Sequence, residues 1–171
     1  MSQGVGMAKE PGEAATAAGR RRFARRCYGH LAGRLGVAVT EALLARGLLR
    51  PVSDAGFALT AAGRAWFGAL GLAPADLDAA GRRCLDGSER RDHLGGPLGV
   101  RLLERLIVLG WLEPAPEPRT LRLTPAGEDV LATCLGLARD GDLIQDQGRA
   151  GRNRLTHLRH VALQMCLVSY S

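Results

Sequence analysis

The chain has 171 residues, 46% hydrophobic and 23% charged, a length that suits one compact domain or two very small ones. No run approaches the ~18 consecutive apolar residues of a bilayer span, and the N-terminal stretch lacks the apolar centre of a signal peptide, so a cytoplasmic protein with no membrane partner is expected. The net charge of +6 invites a polyanion, but residues 1–29 hold six cations against two acids and residues 138–171 five against three, whereas residues 30–137 hold twelve of each; the patterned part of the chain is neutral.

Residues 1–22 read as a disordered basic leader, rich in Gly, Ala and Glu before its arginines. The leader runs into "RRRFARR" (20–26), where Arg20, Arg21, Arg22, Arg25 and Arg26 surround Phe23. Such a set can touch phosphates without reading bases; the plainer reading is a solvated helical turn or a linker.

From residue 30 the chain repeats itself. "HLAGRLGVAVTEALLARGLLRP" (30–51) returns as "HLGGPLGVRLLERLIVLGWLEP" (93–114), identical at 11 of 22 positions without a gap, and "LTAAG" (59–63) returns as "LTPAG" (123–127). In the first copy Leu31, Leu35, Val39 and Leu43 form a helical stripe that Gly47 ends; in the second, Leu94, Leu98, Leu102 and Leu106 form it and Gly110 ends it. Each glycine is followed by two short apolar strands, "LLR" and "FAL" or "WLE" and "LRL", hence a hairpin. Thr60 and Thr124 then predict N-caps, with Pro125 at the first helical position.

The expected fold is therefore α+β and mostly helical: a first module over 23–72, a connecting helix from about Pro74 and second module over 73–137, and a tail over 138–171 of uncertain structure. Each module reads helix, hairpin, helix. Trp66, Phe67 and Trp111 fall on equivalent apolar faces and are expected in the core.

Cys27, Cys84, Cys134 and Cys166 are widely spaced without a CxxC, which predicts free thiols. Cys27 and His30 lie three apart, on one face if helical, and Cys84, Asp86, Glu89 and His93 occupy corresponding territory in the second copy. Pseudo-twofold packing would bring Cys27, His30, Cys84 and His93 together as a tetrahedral site for a transition metal, or as a thiol sensor; otherwise the histidines buttress their helices and the cysteines are small apolar residues. No other cofactor is implied. In "SERRDH" (88–93), Arg90 and Arg91 could hold an anionic effector near a helix start, unless Ser88 is simply an N-cap. "HVALQMCLV" (160–168) could serve a dimer contact. No paired nucleophile and base, phosphate loop or dinucleotide turn is present, so an enzyme is not expected.

"CYGHLAGRLGVAVTEALLARGLL", "GFALTAAGRAWF", "CLDGSERRDHLGGPLGVRLLERLIVLGWL" and "LRLTPAGEDVL" together resemble the C-terminal region of ArsR-type winged helix-turn-helix transcriptional regulators, over residues 24–137. The resemblance implies two tandem, degenerate winged-helix-like modules, DNA as a partner, and pairing as a homodimer or with a related regulator. It also implies an N-terminal DNA-binding domain, whose place here is taken by the short leader. Where the family pattern has an acid and a tryptophan, this chain has Gly29 and Gly87. Gly36 and Gly47 leave ten residues between them, enough for one helix and too few for two helices and a turn. The expected function is transcription regulation through a dimerisation and effector-response region with at most non-specific DNA contact; a stand-alone interaction module, or a metal or thiol sensor, are the alternatives.

Overall fold

The computed structural model describes residues 16–137; most of the leader and all of the tail over 138–171, with Cys166 and residues 160–168, lie outside them. Five α-helices and eight short strands alternate, an α+β arrangement. Helix α1 (Ala17–Phe23) leads into β1 (Arg25–Cys27), β2 (His30–Ala32), α2 (Gly33–Ala45), β3 (Leu49–Ser53), β4 (Gly56–Leu59) and α3 (Ala61–Leu70). A 3-10 helix (Pro74–Asp78) connects to β5 (Gly81–Leu85), β6 (Asp92–Gly95), α4 (Gly96–Val108), β7 (Leu112–Pro114), β8 (Leu121–Leu123) and α5 (Pro125–Leu135). The order hairpin, helix, hairpin, helix is thus run twice.

Three expectations are corrected. The end of the leader is ordered: Thr16 caps α1 by accepting a bond from the Gly19 amide, so residues 17–22 are helical. The repeat unit opens with a hairpin, β1–β2 or β5–β6, which the helical stripe concealed. Leu31 and Leu94 belong to strands, and the helices start at Gly33 and Gly96, whose φ of +81° and +71° turn the chain from strand into helix. Finally, no helix begins in "SERRDH", which closes the β5–β6 hairpin and enters β6.

Other expectations meet the structure closely. Both stripes are buried, no turn interrupts α2, and Gly47 and Gly110 are left-handed after their helices. Thr60 and Thr124 accept bonds from the amides of Gly63 and Gly127 at 3.0 and 3.1 Å. Trp66, Phe67 and Trp111 are buried in one continuous core with Leu43, Leu98 and Leu103.

The two copies exchange hairpins. β3–β4 of the first copy joins β5–β6 of the second in a four-stranded antiparallel sheet, where Phe57 pairs with Gly81. Reciprocally, β1 lies beside the start of β8: Arg25 bridges Thr120, and the Leu121 amide donates to the Ala24 carbonyl at 3.0 Å. Helix α2 packs on β6, α4 on β2, and β2 on β6. Neither copy has a separate core.

The "LTxxG" glycines are set by close approach. A Cβ on Gly63 would stand 1.9 Å from the Leu48 carbonyl oxygen, whereas one on Gly68 of the same helix meets nothing within 4 Å. Gly63→Ala is expected to destabilise the chain by about 1–3 kcal/mol and Gly68→Ala to stabilise it by up to about 1 kcal/mol. Urea unfolding of both variants checks this, and equal midpoints would refute it.

Candidate functional site

β1–β2 and β5–β6 share more than topology. Each carries Arg-Arg-Cys on its first strand, and the register sets Cys27 directly across from His30 and Cys84 across from His93. Directly opposed residues share one face of a hairpin. The cysteine and histidine of each copy are therefore cross-strand partners, where the spacing of Cys27 and His30 had suggested one face of a helix. Six extra residues between cysteine and histidine in the second hairpin shift the offset between copies from 57 at the cysteines to 63 at the histidines, which hides the Arg-Arg-Cys match from an ungapped comparison.

Because β2 packs on β6, the two pairs meet. The ligand atoms of Cys27, His30, Cys84 and His93 all lie within 4.8 Å of one another. The sulfurs are 3.9 Å apart, and the imidazole centroids are 5.0 Å apart. Both histidines are buried, and the cysteines are half-buried. Room for His30 depends on Gly95, where a Cβ would come within 3.1 Å of His30 Nε2 and of Cys84 Cβ. His30 Nδ1 and both ring nitrogens of His93 have no hydrogen-bond partner, and buried polar atoms are seldom left so.

Burial, then the neighbouring His93, lowers the His30 pKa to about 4. Burial also lowers that of His93, with Asp86 opposing and Arg25 reinforcing the shift. Burial and then Cys27 push the Cys84 thiol up to about 11. His30, His93 and Cys84 are consequently uncharged near neutrality, as burial in a site of low polarity favours.

Asp86 is the charged group beside it, and its side chain is fully buried. Arg25 grips it with Nη2 at 2.8 and 2.9 Å from the two carboxylate oxygens. The Gly33 amide at the head of α2 donates to it at 2.7 Å, and the Ser88 hydroxyl, Ser88 amide and Glu89 amide donate at 2.7, 2.9 and 3.1 Å. Burial alone would raise its pKa, but these bonds, led by the Ser88 hydroxyl, outweigh burial and hold it below the usual carboxylate range. Its Oδ2 lies 3.6 Å from His93 Nδ1. Sequence reasoning noted Asp86 beside Cys84 without giving it this part; its signal was an acid two residues after Arg-Arg-Cys, at the mouth of the turn.

The remaining site residues are dispersed. Arg20 pairs with Glu117 and Arg25 with Asp86, so at least two of the five guanidinium groups face carboxylates. Arg21 and Arg22 are exposed on α1, and Arg26 lies half-buried in β1 with its carbonyl bonded by Arg119. Arg91 pairs with Glu41 across the surface, and Arg90 sits in the hairpin turn at φ +57°. Cys27 and Cys84 are free thiols as expected.

No protein-family model matches the chain, and no solved structure matches it. Over 110 residues it is 39% identical to "Uncharacterized HTH-type transcriptional regulator YdfF" of Bacillus subtilis (strain 168), a match covering 62% of this chain and 48% of that protein. The chain spans about half the length of the curated relative it matches. Among the described residues no helix is long and apolar enough to cross a membrane.

Two outcomes follow from the electrostatics. Asp86→Ala strips a buried carboxylate from Arg25 and from three amides, and is expected to cost about 3–5 kcal/mol, against about 0–1 kcal/mol for Asp78→Ala, which breaks an exposed pair with Arg64; comparable losses in denaturant unfolding would contradict this. The lowered imidazole pKa values favour protonation of the unfolded chain, so in metal-free protein the stability they leave intact above pH 6.5 declines as pH falls toward 4. The Asp86 contribution is lost only at lower pH, below the ordinary carboxylate value of 3.8. His30→Gln with His93→Gln is expected to flatten the upper limb of a melting-temperature profile and leave the lower one.

Proposed function

We propose that this chain serves transcription regulation as the dimerisation and effector-response region of an ArsR-like helix-turn-helix regulator, built from two degenerate winged-helix-like modules, and that it touches DNA at most non-specifically. The observation that carries the reading is the position of the thiol and imidazole cluster. It sits where the hairpins of the two copies meet, each packed on the other's helix, so anything gripping all four side chains changes how firmly the copies hold together. The identity with YdfF, whose printed name is that of a transcriptional regulator, supports the regulatory part.

DNA reading by the repeated helices is disfavoured by their burial. The stripe of each is inside the core, and α2 runs into β3 through a single turn instead of a second helix. Arginines on and after α1 can add a phosphate contact, weakened because Arg20 and Arg25 already hold carboxylates.

A second reading, an interaction module that pairs with a related regulator, is favoured by the exposed apolar side chains of Val52, Leu85 and Val108. Fluorescence anisotropy with two labelled duplexes of unrelated sequence tests the first reading. Weak binding that fades between about 50 and 200 mM salt, equal for both duplexes, is expected; a preference of more than about tenfold for one duplex would show base readout and overturn it.

A further inference from the structure

We propose that Cys27, His30, Cys84 and His93 bind one divalent cation of the zinc class in a tetrahedral Cys2His2 site between the two copies. This names the effector of the junction proposed above and rests on that reading only for its regulatory meaning.

Four donors of the right kinds already converge. A zinc ion takes thiolate at about 2.3 Å and imidazole at about 2.0–2.1 Å, so two of its sulfurs stand about 3.8 Å apart at the tetrahedral angle. The sulfurs here stand 3.9 Å apart, and no donor atom is more than 4.8 Å from another. Closing the cluster on a cation needs shifts of about an ångström or less by side chains whose backbones two hairpins hold. The orphaned imidazole nitrogens supply the complementary argument: as a metal ligand, a buried ring nitrogen gains the partner it lacks.

Asp86 completes the arrangement. Its carboxylate stands 3.6 Å from Nδ1 of His93, so a small approach on metal binding would place the proton on Nδ1 and leave Nε2 for the cation, as in the carboxylate–histidine–metal relay. Because Arg25 already balances the Asp86 charge, the cluster is left to balance the cation alone. On binding, each thiol gives its proton to solvent, and two thiolates with a divalent cation make a neutral centre. A monovalent ion would leave one uncompensated negative charge in a half-buried site, so the charge count favours the divalent class. The route in is open: a cavity of about 550 Å³ has His30 and Cys84 in its wall, with Tyr28, Pro97, Val100 and Arg101.

The test is a titration of the reduced, chelator-treated full chain with cobalt(II) chloride, followed by displacement with zinc chloride. One equivalent per chain, with the visible absorption of four-coordinate cobalt and a sulfur-to-cobalt charge-transfer band that zinc abolishes, is the expected result. Cys27→Ser with Cys84→Ser should lose both bands, and His30→Gln with His93→Gln should lose the four-coordinate spectrum, while far-UV circular dichroism shows each variant folded. No saturable band in the wild-type chain, or the same bands in the folded cysteine variant, would overturn the proposal. If a variant fails to fold, alkylation decides: zinc is expected to slow labelling of Cys27 and Cys84 by at least tenfold in the wild-type chain, and an unchanged rate refutes the site. These readouts need no DNA. A zinc-loaded chain whose self-association matches that of the metal-free chain would sink the effector-response reading and leave the metal site standing.

Discussion

A two-stranded hairpin does not hold itself together in water, and the described part of this chain contains four hairpins of three to five residues per strand. Each must be covered by something else, and the cover comes from the other copy of the repeat. β5–β6 extends the sheet of β3–β4, β1 runs beside β8, and α2 and α4 cross over to the opposite hairpin. This mutual dependence makes one core out of two modules too small to have their own. It also places whatever the first hairpins carry at the centre of the molecule instead of at its edge.

The copies use that centre unequally. Both first hairpins present a cysteine across from a histidine, but only the second has the longer turn in which Asp86 can gather Arg25, the head of α2 and the Ser88 turn around one buried carboxylate. The corresponding residue of the first copy is Gly29, at φ +90° in a tight turn beside Tyr28. A charge brought inside needs a full set of partners, and one such set is built here. The consequence is a thiol and imidazole cluster that is symmetric in its four donors and asymmetric in what stands behind them: His93 has a carboxylate at its back, and His30 has Gly95 and Gly99 of the other copy pressed against it.

Much of the frame was legible because it rests on local physics. A four-residue stripe closed by a left-handed glycine, and a threonine cap three residues before a glycine, need nothing beyond their own segments, and α2 to α5 follow them. The first hairpins were not legible. Their strands are short, one is buried on both faces (His30–Ala32) and another on neither (Arg25–Cys27), so no period of two appears, and Leu31 and Leu94 keep the helical stripe running while being extended.

Cys27, His30, Cys84 and His93 do converge, but through cross-strand pairing within two hairpins and not through a helical face. What the sequence alone determined was the duplication, the helices with their caps and stops, and the residue types available to the site, all properties of single segments. The tertiary structure decided which hairpin covers which helix, that Arg25 turns inward to Asp86, and that the sulfurs of two cysteines 57 residues apart in the chain stand 3.9 Å apart in space. Those depend on how each copy compensates for the core the other lacks, a condition that no segment carries by itself.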